Sequence, residues 1–590
     1  MRELNEVLQD WEAVIGLEIH TELTTLETKM FCGCKLSHDD EPNTHVCPVC
    51  LGLPGALPVP NRRAIEYIVK AGLATNCEIQ KHSMFYRKHY FYPDMAKNFQ
   101  TTQGPVAFCM HGHLDLEVSG RGAEERPACA FGAAEAESLA SASAGAVGLS
   151  ASMARDLPEG AGQRGRSQLS QPSHAQAESA DLGTNDLTPA TPALAGLASY
   201  DTASLAVPER RDDGSYTVPI RILRIHMEED AAKMVHVGGE EGRIGGATES
   251  LIDYNRCGTP LIELVTEPDL RTPEEARLFM EKLRRIFLTL GISDCSMEKG
   301  SMRCDGNVSL RRRGSTKLGT KTELKNLNSF KALHDGLAYE ICRQAEVLEE
   351  GGEIYQETRH WEPSRKRTVV MRTKETADDY RFFPDPDLAP FDLTDEFIDH
   401  CRAELPELPD AKRDRYERDF GIKRADAEQL AGDPDSGAFF EEAAAGMTGK
   451  AAQTVANLIV NELAGYLNAR GPEATVATCG IAPTQVATLA RLLAEDAVSS
   501  NQAHEVFELM AASGEDPERI VDERGMRQVN DTEALQAVVD TVLARCAEQA
   551  QQYRDGNQKV LGFLVGQCMR ESKGSGNPKL FNELLRNSLS

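Results

Sequence analysis

Four segments in the first 400 residues are predicted to be β-strands, because they alternate apolar and polar positions or, in the third of them, form a short apolar run. They are VIGLEIHTEL at 14–23, RILRIHMEED at 221–230, LIELVTE at 261–267 and MRCDGNVSL at 302–310. A helix is predicted over 272–290, because Thr272 is a capping residue, Pro273 follows it and Glu275 completes a capping box. Apolar residues then recur at helical spacing up to Gly291, which ends the helix. The pattern predicts a sheet-rich body with few helices.

The pattern changes after ELPELPDAKR at 404–413, which we interpret as a domain linker. Beyond it, apolar residues recur every three or four positions, as is typical of amphipathic helices. The clearest stripe consists of Val455, Leu458, Ile459, Leu463, Tyr466 and Leu467. A second break is predicted at 513–525, with another helical segment at 529–549. The sequence thus predicts an α+β fold, with a mostly antiparallel sheet body over 1–405, an all-α domain over 406–520 and a small helical tail over 521–590.

Residues 119–214 differ from the rest of the body. Of these 96 residues, 45 are Ala, Gly or Ser, none is Ile, and the aromatic ones are Phe131 and Tyr200. Such a segment has little apolar surface to bury, so the entropy of ordering it favours disorder. Strand-like sequence resumes on both sides. We therefore interpret 119–214 as a largely disordered low-complexity insertion.

The composition and the first residues argue against two classes of protein, membrane-spanning proteins and secreted proteins. No stretch approaches the ~18 apolar residues of a membrane span, and the first residues lack a basic and then apolar signal region. Fifteen cysteines, an odd number and mostly scattered, fit reduced thiols. We expect a cytoplasmic protein without a membrane partner. The net charge of −28 argues against nucleic-acid binding unless basic side chains are gathered locally.

A short polar loop is bracketed by two pairs of cysteines, Cys32 with Cys34 and Cys47 with Cys50. Zn²⁺ prefers four thiolates in a tetrahedron, and two such pairs closing one loop supply that geometry. Because four thiolates leave no open coordination position, we expect a structural site. The alternative is four unrelated thiols, and His38 and His45 between the pairs are alternative ligands.

Acidic and imidazole side chains occupy the predicted strands. Glu18 and His20 share one face of the first strand, and Glu228 and Glu229 lie at the end of the second. Glu263 is embedded in an apolar run, where an unpaired carboxylate costs several kcal/mol, so it should have a cation or metal partner. Carboxylates with an imidazole suit Mg²⁺ and nucleotide phosphates. The alternative for Glu18 and His20 is the solvated face of an antiparallel sheet.

Two common catalytic motifs are absent. The segment GSTKLGTK at 314–321 ends in G-T-K rather than G-K-[ST], so it is not a Walker A loop. No G-x-S-x-G nucleophile elbow occurs. Any ATP site in this chain is therefore unconventional.

Several long motifs together closely resemble those of the B subunits of the aspartyl/glutamyl-tRNA amidotransferases. They are VIGLEIHTEL, RKHYFYPDMAKNFQ, RIHMEEDAAK, DYNRCGTPLIELVTEPD, MRCDGNVSL, TELKNLNSF, DDYRFFPDPD and, near the end, GFLVGQCMRESKGSGNPKLFNELL. The resemblance covers nearly the whole chain except the insertion. The family typically has only a short hairpin connection at the insertion, and we expect the activity to survive the added length.

The resemblance implies a ligase reaction. The side-chain carboxylate of misacylated Glu-tRNA(Gln) or Asp-tRNA(Asn) would be phosphorylated by ATP, and ammonia would displace the phosphate to give Gln-tRNA(Gln) or Asn-tRNA(Asn). The ammonia would come from glutamine hydrolysed by an amidase, the A subunit, with a small C subunit completing a heterotrimer. The sequence does not decide between the two tRNA substrates.

The resemblance also implies functional residues. It carries the Mg²⁺ ligands over to His20, Glu229 and Glu263, with Glu18 and Glu228 beside them. Lys88 and Arg303 are candidates for contacts with phosphate or carboxylate, and a solvated loop lysine is the alternative for Lys88. The family's C-terminal tail binds tRNA by its shape. The residues that carry this role over are Lys559, Arg570, Lys573 and Lys579, with Arg586 nearby, and the alternative is an ordinary amphipathic helix with a solvated basic edge.

Two other classes of function remain open on the sequence. A zinc-stabilised RNA-binding scaffold would need the four cysteines and the basic tail, but not Glu18, His20 and Glu263. A self-sufficient glutaminase would release ammonia without a partner.

Overall fold

The computed structural model describes residues 2–37, 39–126, 208–238, 246–315, 317–373, 380–471, 474–528, 531–572 and 575–589. Most of the predicted insertion, with its predicted disorder, lies outside the described residues, as do His38 and Lys573. The chain divides into two compact units. The first unit comprises Met1–Lys282 and Cys295–Asp399, and the second comprises Leu283–Asp294 and His400–Ser590.

The first unit contains the strands. They are β1 (Trp11–Glu22), β2 (Glu78–Ile79), β3 (His82–Ser83), β4 (Phe85–His89), β5 (Phe99–Gln103), β6 (Cys109–Val118), β7 (Glu209–Arg210), β8 (Tyr216–Glu229), β9 (Lys233–Val237), β10 (Glu249–Asp253), β11 (Pro260–Thr266), β12 (Met302–Arg312), β13 (Thr322–Lys325), β14 (Glu357–Glu362), β15 (Arg367–Thr373), β16 (Phe383–Pro384) and β17 (Phe391–Asp392). The four strands predicted from the sequence pattern correspond to β1, β8, β11 and β12.

Thirteen of the strands in the described part of the chain form one sheet. Its order is β15-β14-β13-β12-β1-β11-β8-β5-β4-β16, and β6 and β7 also pair with β8, while β2 pairs with β6. Every pairing in it is antiparallel except that of β13 with β14. The predicted α+β fold, a sheet-rich first part followed by helices, is confirmed.

The helices follow the order of the chain. They are α1 (Leu4–Asp10), α2 (Arg62–Ala74), α3 (Arg121–Glu125), α4 (Pro273–Thr289), α5 (Phe330–Glu349), α6 (Asp395–Ala403), α7 (Pro409–Arg415), α8 (Arg424–Ala431), α9 (Pro434–Ala443), α10 (Lys450–Asn457), α11 (Ala464–Arg470), α12 (Pro483–Ala494), α13 (Ser500–Ser513), α14 (Pro517–Glu523), α15 (Thr532–Arg545), α16 (Ala547–Arg554), α17 (Val560–Glu571) and α18 (Pro578–Leu589). None of the helices in the described residues has the length and apolar character needed to cross a membrane.

One face of the central strands is apolar and forms the core of the first unit. Ile19 lies between Cys304 on β12 and Leu264 on β11, and Leu264 lies opposite Ile225 on β8. All four are at most 3% exposed. Because side chains alternate along a strand, the neighbouring positions project from the other face of the sheet. That face carries the polar residues of these strands.

The predicted cap of α4 is present with one difference. The backbone N–H of Glu275 donates to Thr272 Oγ1 at 3.0 Å. The Glu275 carboxylate accepts the N–H of Arg271 at 2.7 Å rather than that of Thr272. Its other oxygen accepts hydrogen bonds from Tyr216 and Arg126, so the carboxylate is drawn into a buried polar network.

The described ends of the predicted insertion contain regular structure. β6 pairs with β8 from Cys109 opposite Ile225 to Val118 opposite Tyr216, so the chain leaves and re-enters the sheet at adjacent positions. Helix α3 and strand β7 both lie within 119–214. This adjacency explains how a hairpin connection can accept extra residues without changing the register of the sheet.

In the second unit, the described buried apolar side chains form two cores. One is formed by helices between α7 and α14, and the other by α15 to α18. The predicted stripe lies in the first core, across α10, a π-helical turn at Leu458–Leu463 and α11. Helices begin inside both predicted breaks, at Pro409 and at Pro517. In each case proline occupies the first helical turn, where its missing N–H costs no hydrogen bond.

Candidate functional site

The four central strands each place one polar residue in a row across the sheet. Arg303 on β12 lies opposite His20 on β1. Glu263 on β11 lies between His20 and His226 of β8. Directly opposed residues of antiparallel strands project from the same face. The row therefore lies on the polar face, opposite the apolar core.

Two carboxylates complete what we call the carboxylate–imidazole cluster. Glu18 precedes His20 by two residues, and Glu228 follows His226 by two, so each shares a face with its histidine. The cluster consists of Glu18, His20, His226, Glu228 and Glu263. His20, Glu18 and Glu263 offer donor atoms within 4.8 Å of one another, and so do His226, Glu228 and Glu263.

The two imidazoles stand on either side of Glu263. His20 Nε2 is 3.3 Å from Glu263 Oε2, 3.7 Å from Glu18 Oε1 and 3.9 Å from Glu228 Oε1. His226 Nε2 is 3.5 Å from Glu263 Oε2 and 3.7 Å from Glu228 Oε2. Imidazole nitrogens and carboxylate oxygens thus converge on one point of the sheet.

Burial and neighbouring charges determine the protonation states here. Burial acts to raise the pKa of Glu263, but His226, His20 and Arg224 hold it well below its usual range. Burial acts to lower the pKa of His20, but the carboxylates of Glu263, Glu228 and Glu18 raise it overall. Burial and the charge of Glu263 raise the pKa of Glu18. The cluster therefore attracts cations.

The cluster offers donor atoms that the protein itself leaves unused. Glu228 Oε2 and His226 Nδ1 are buried and have no hydrogen-bond partner among the described residues. An unsatisfied buried carboxylate oxygen is costly. Oxygen-rich donors with an imidazole fit a hard divalent cation such as Mg²⁺. The residues that could hold one such ion are Glu18, His20, Glu228 and Glu263.

Basic side chains border the cluster. Arg303 Nη2 is 2.5 Å from Asp230 Oδ2 and 3.9 Å from Glu22 Oε1. Burial and the charge of Asp230 raise the pKa of Glu22 to about 8. Lys325 Nζ is 2.5 Å from Asp305 Oδ2, which lies opposite Glu18 in the register. The side chains of Arg303 and Lys325 are 41% and 36% exposed, so both can meet an anionic ligand.

The sequence analysis expected Glu229 to lie beside His20 and Glu263. The structure places Glu229 apart from both. Glu229 follows Glu228 directly and therefore projects from the opposite face of the sheet. There its carboxylate pairs with Lys97 and accepts the N–H of Thr101 at 2.9 Å. Strand alternation makes Glu228, not Glu229, the member of the cluster.

Lys88 also lies apart from the cluster. It is half-buried on β4, which is separated from β8 by β5. Its ammonium lies 5.3 Å from the centre of the Tyr380 ring, a cation–π contact. Among the described residues, no hydrogen bond or ion pair links Lys88 to the cluster.

The four predicted cysteines converge in what we call the four-cysteine cluster. The Sγ atoms of Cys32, Cys34, Cys47 and Cys50 all lie within 4.8 Å of one another, and those of Cys47 and Cys50 are 3.9 Å apart. His45, an alternative ligand, instead bonds Asp40 through Nε2 at 2.7 Å. The four-cysteine cluster can bind a metal ion.

A buried lysine stands beside the four-cysteine cluster. Lys29 is 1% exposed, and its ammonium lies 3.0 Å from the Tyr254 carbonyl oxygen and 3.8 Å from Cys50 Sγ. A buried ammonium requires an anionic partner, and a thiolate of Cys50 supplies one. The lysine therefore favours the deprotonated, metal-binding form of the cluster.

A cavity of about 220 Å³ opens between the four-cysteine cluster and the sheet. Its walls include Cys32, Cys50, Lys97 and Glu229. Arg87 also lines it and forms a bidentate pair with Asp385, with both distances 3.0 Å. The cavity lies on the face of the sheet to which Glu229 points.

The tail residues that the structure describes lie on or directly before the last two helices of the second unit. Lys559 precedes α17, and Arg570 lies in its last turn. Lys579 at the start of α18 pairs with Asp496 at 2.6 Å. Arg586 donates to Asn582 at 2.8 Å. Phe563, on α17, is 48% exposed.

His226 and Lys325 were missed by the sequence analysis. The signal that could have found His226 is its spacing, because it precedes Glu228 by two residues in a strand and therefore shares its face. Lys325 contacts Asp305 because β13 pairs with β12, and no local sequence pattern predicts this pairing. Register between distant strands is what brings both into the site.

The sequence matches the models of two known protein domains. The model of the GatB/GatE catalytic domain matches residues 13–128 and 201–399, and the model of the GatB domain matches residues 438–589. The first match omits 129–200, within the predicted insertion.

Three relatives match along nearly their whole length. A protein of Carboxydothermus hydrogenoformans is 42% identical over 582 residues, 99% of each chain. One of Moorella thermoacetica is 41% identical over 580 residues, 98% of this chain and 100% of the relative. One of Geobacter sp. strain M21 is 40% identical over 579 residues, 98% and 99% of the two chains. Each is named as the B subunit of an aspartyl/glutamyl-tRNA(Asn/Gln) amidotransferase, and the chain described here belongs to this family of amidotransferase B subunits.

Proposed function

We propose that this chain is the part of a tRNA-dependent amidotransferase that activates the side-chain carboxylate of misacylated Glu-tRNA(Gln), Asp-tRNA(Asn) or both. ATP phosphorylates that carboxylate, and ammonia then converts it to the amide. The observation that carries the proposal is the convergence of His20, Glu263 and their carboxylate neighbours on the polar face of the sheet. Membership of the amidotransferase B family supports the substrate class.

The chemistry requires charge neutralisation. A carboxylate is a poor electrophile and repels the phosphates of ATP, and phosphoryl transfer depends mainly on positioning and electrostatic stabilisation. Bound Mg²⁺ supplies the neutralisation of phosphate charge. Glu18, His20, Glu228 and Glu263 would hold the ion, since their donor atoms converge around His20 Nε2.

The basic residues have a separate role in the proposal. Arg303 and Lys325 are partly exposed at the border of the cluster, on β12 and β13. They would orient the anionic substrate carboxylate or a phosphate oxygen. Their own carboxylate partners, Asp230 and Asp305, hold them in place before the ligand binds.

The second half-reaction needs ammonia from outside this chain. The nitrogen attacks the carbonyl carbon of the acyl phosphate, the bond from carbon to the phosphate oxygen breaks, and phosphate leaves. We propose that the ammonia comes from a glutamine-hydrolysing amidase partner, with a small third protein in a heterotrimer. The relatives are named as B subunits, which supports partners of some kind.

We also propose that the four-cysteine cluster holds structural Zn²⁺. Four sulfurs at about 2.3 Å from a tetrahedral ion lie roughly 3.8 Å apart, and the Cys47–Cys50 separation of 3.9 Å fits. All four positions are filled by thiolates, which leaves none for a substrate. The buried ammonium of Lys29 offsets part of the negative charge.

The RNA-binding scaffold and the glutaminase remain the competing functions. A scaffold has no use for the carboxylate–imidazole cluster, so titration calorimetry with Mg-ATP distinguishes it from the proposed function. The proposed function expects Mg-ATP to bind, and a scaffold expects no binding. A glutaminase is supported if the purified chain alone releases ammonia from glutamine. The assay that tests the proposal is amidation by the reconstituted complex with each misacylated tRNA in turn. The proposal fails if neither tRNA is amidated in the presence of ATP.

The tail gives a prediction about tRNA affinity. Replacing both Lys559 and Arg570 by alanine should weaken tRNA binding about tenfold at ~0.1 M salt, since each lost phosphate contact removes favourable counterion release. The salt slope should become shallower by roughly one to two units. The matched control is Arg491→Ala, an exposed arginine of the same unit that pairs with Glu518. Unchanged affinity and slope in the double variant would remove these residues from the tRNA site.

A further inference from the structure

The four-cysteine cluster differs from the other described cysteines in its access to solvent. Cys32, Cys34 and Cys47 are half-buried, whereas Cys50 and every other described cysteine are buried. Cys32 and Cys50 also line the cavity of about 220 Å³ between the cluster and the sheet. Cysteine oxidation follows exposure and thiolate character. A small oxidant therefore reaches the sulfurs of this cluster more readily than the described thiols packed in the apolar cores.

Cys47 and Cys50 form a C-x-x-C pair within the cluster. Their Sγ atoms are 3.9 Å apart, and the backbone N–H of Cys47 donates to Cys50 Sγ at 3.1 Å. The ammonium of Lys29 lies 3.8 Å from the same sulfur. N–H donors and a nearby cation stabilise a thiolate, and C-x-x-C is the spacing of many dithiols that interconvert with a disulfide. The pair therefore has the spacing and the polar neighbours of a redox-active dithiol.

The loop that carries this pair is hydrogen-bonded to the end of β8. The N–H of Met30 donates to the carbonyl oxygen of Gly258 at 2.8 Å, and the N–H of Gly258 donates to that of Asp230 at 3.0 Å. The Asp230 carboxylate accepts a hydrogen bond from Arg303 at the border of the carboxylate–imidazole cluster. Two backbone hydrogen bonds thus connect the loop of the cysteines with the border of that cluster.

We propose that Cys47 and Cys50 are a site of reversible oxidation that controls amidation. In the reduced chain both sulfurs bind the zinc ion as thiolates. Oxidation joins the two sulfurs in a disulfide, which removes two of the four ligands and releases the ion. The inference goes beyond the proposed function, and it rests on the zinc site and the amidation reaction proposed there.

A peroxide is the oxidant in this step. The half-buried Cys47 thiolate attacks one peroxide oxygen, the O–O bond breaks, and hydroxide leaves a sulfenic acid on Cys47. The Cys50 thiolate attacks that sulfur, the S–S bond forms, the S–O bond breaks, and a second hydroxide leaves. Two electrons pass from the two sulfurs to the peroxide, and solvent protonates both hydroxides to water. Zn²⁺ leaves without a change of oxidation state, and a dithiol reductant reverses the step.

The disulfide removes the anionic neighbour of Lys29. This lysine is 1% exposed, and the hydrogen-bond partner that remains to it among the described residues is the carbonyl oxygen of Tyr254, at 3.0 Å. A buried ammonium with only a neutral acceptor is costly, so the segment 29–34 should rearrange. Because this segment supports Gly258 and Asp230, amidation should fall about tenfold, the scale on which groups that position metal ligands matter.

The experiment uses the full-length chain with Cys129→Ser, because Cys129 lies outside the described residues. Its zinc is measured, it is treated with hydrogen peroxide and freed of it, and it is then combined with untreated partner subunits. Zinc should leave in step with the loss of two free thiols, and peptide mass spectrometry should find Cys47 joined to Cys50. Amidation should fall while glutamine hydrolysis by the partner does not, and dithiothreitol with Zn²⁺ should restore it. The control adds Cys342→Ser, a buried cysteine outside the cluster, and should lose zinc at the same peroxide concentration.

Zinc that stays bound while other thiols are oxidised overturns the proposal, as does a disulfide at any other pair. Unchanged amidation by the oxidised, zinc-free chain also overturns it, because the oxidation would then control nothing. The proposed function fails separately. A chain without zinc before treatment contradicts the zinc site and this inference together, and an untreated complex that does not amidate with ATP contradicts the proposed reaction. With zinc and amidation both present beforehand, the absence of a response to peroxide removes this inference alone.

Discussion

Glu263→Gln is expected to lower ATP-dependent amidation of misacylated tRNA about a thousandfold. Glutamine keeps the size of the side chain but removes the charge that faces His20, His226 and Arg224. Loss of a ligand that stabilises charge in the transition state costs about 4 kcal/mol, which corresponds to this factor. The measurement is formation of the amide by the reconstituted complex at saturating ATP.

The same complex supplies the internal control for this variant. Hydrolysis of glutamine takes place on the partner, so it should remain measurable with Glu263→Gln. Glu249→Gln, at an exposed position of β10, should amidate at the parental rate. If Glu263→Gln amidates as fast as Glu249→Gln, the catalytic role assigned to the cluster is wrong.

Cys50→Ser is expected to lower the unfolding midpoint of the chain by roughly 5–10 °C, with loss of bound zinc. Structural zinc contributes directly to folding free energy, and a serine oxygen is a poor replacement for a thiolate. The variant also leaves the buried Lys29 without its thiolate neighbour. The measurements are zinc content by mass spectrometry and thermal unfolding by calorimetry.

The matched control for this variant is a buried cysteine outside the cluster. Cys342 lies on α5 and is 8% exposed, and Cys342→Ser should retain a full equivalent of zinc. A Cys50→Ser chain that keeps both its zinc and its unfolding midpoint would show that the four thiols are not a metal site. Equal zinc loss in both variants would show that the loss is not specific to the cluster.

The local patterns of the chain predicted the central strands because each strand carries its own signal, an alternation in β1, β8 and β12 and an apolar run around Glu263 in β11. Ile19 and His20 are assigned to opposite faces by the period of two alone, and the core and polar faces of the sheet follow this assignment. Helices begin at Pro409 and Pro517, inside the two predicted breaks, so a break in the pattern and a helix start coincide there. Proline is compatible with both, and only the packing of the following residues distinguishes them.

The site was harder to predict than the fold because it depends on register between distant strands. Glu228 and Glu229 are chemically equal neighbours, and strand alternation together with the pairing of Leu261 with Glu228 fixes which one projects beside Glu263. The four-cysteine cluster was easier to predict, because both pairs of cysteines lie within one short loop. His226 became part of the site because β8 lies beside β11, which no local pattern could establish.

The central claim is that the substrate carboxylate is phosphorylated before it is amidated, and isotope transfer tests it directly. Misacylated tRNA whose side-chain carboxylate carries ¹⁸O in both positions is incubated with the reconstituted complex, Mg-ATP and glutamine. Phosphate released with the amide should contain one ¹⁸O atom, because the acyl phosphate breaks between carbon and the labelled oxygen. Phosphate that carries no ¹⁸O, with the amide still formed, would contradict the account.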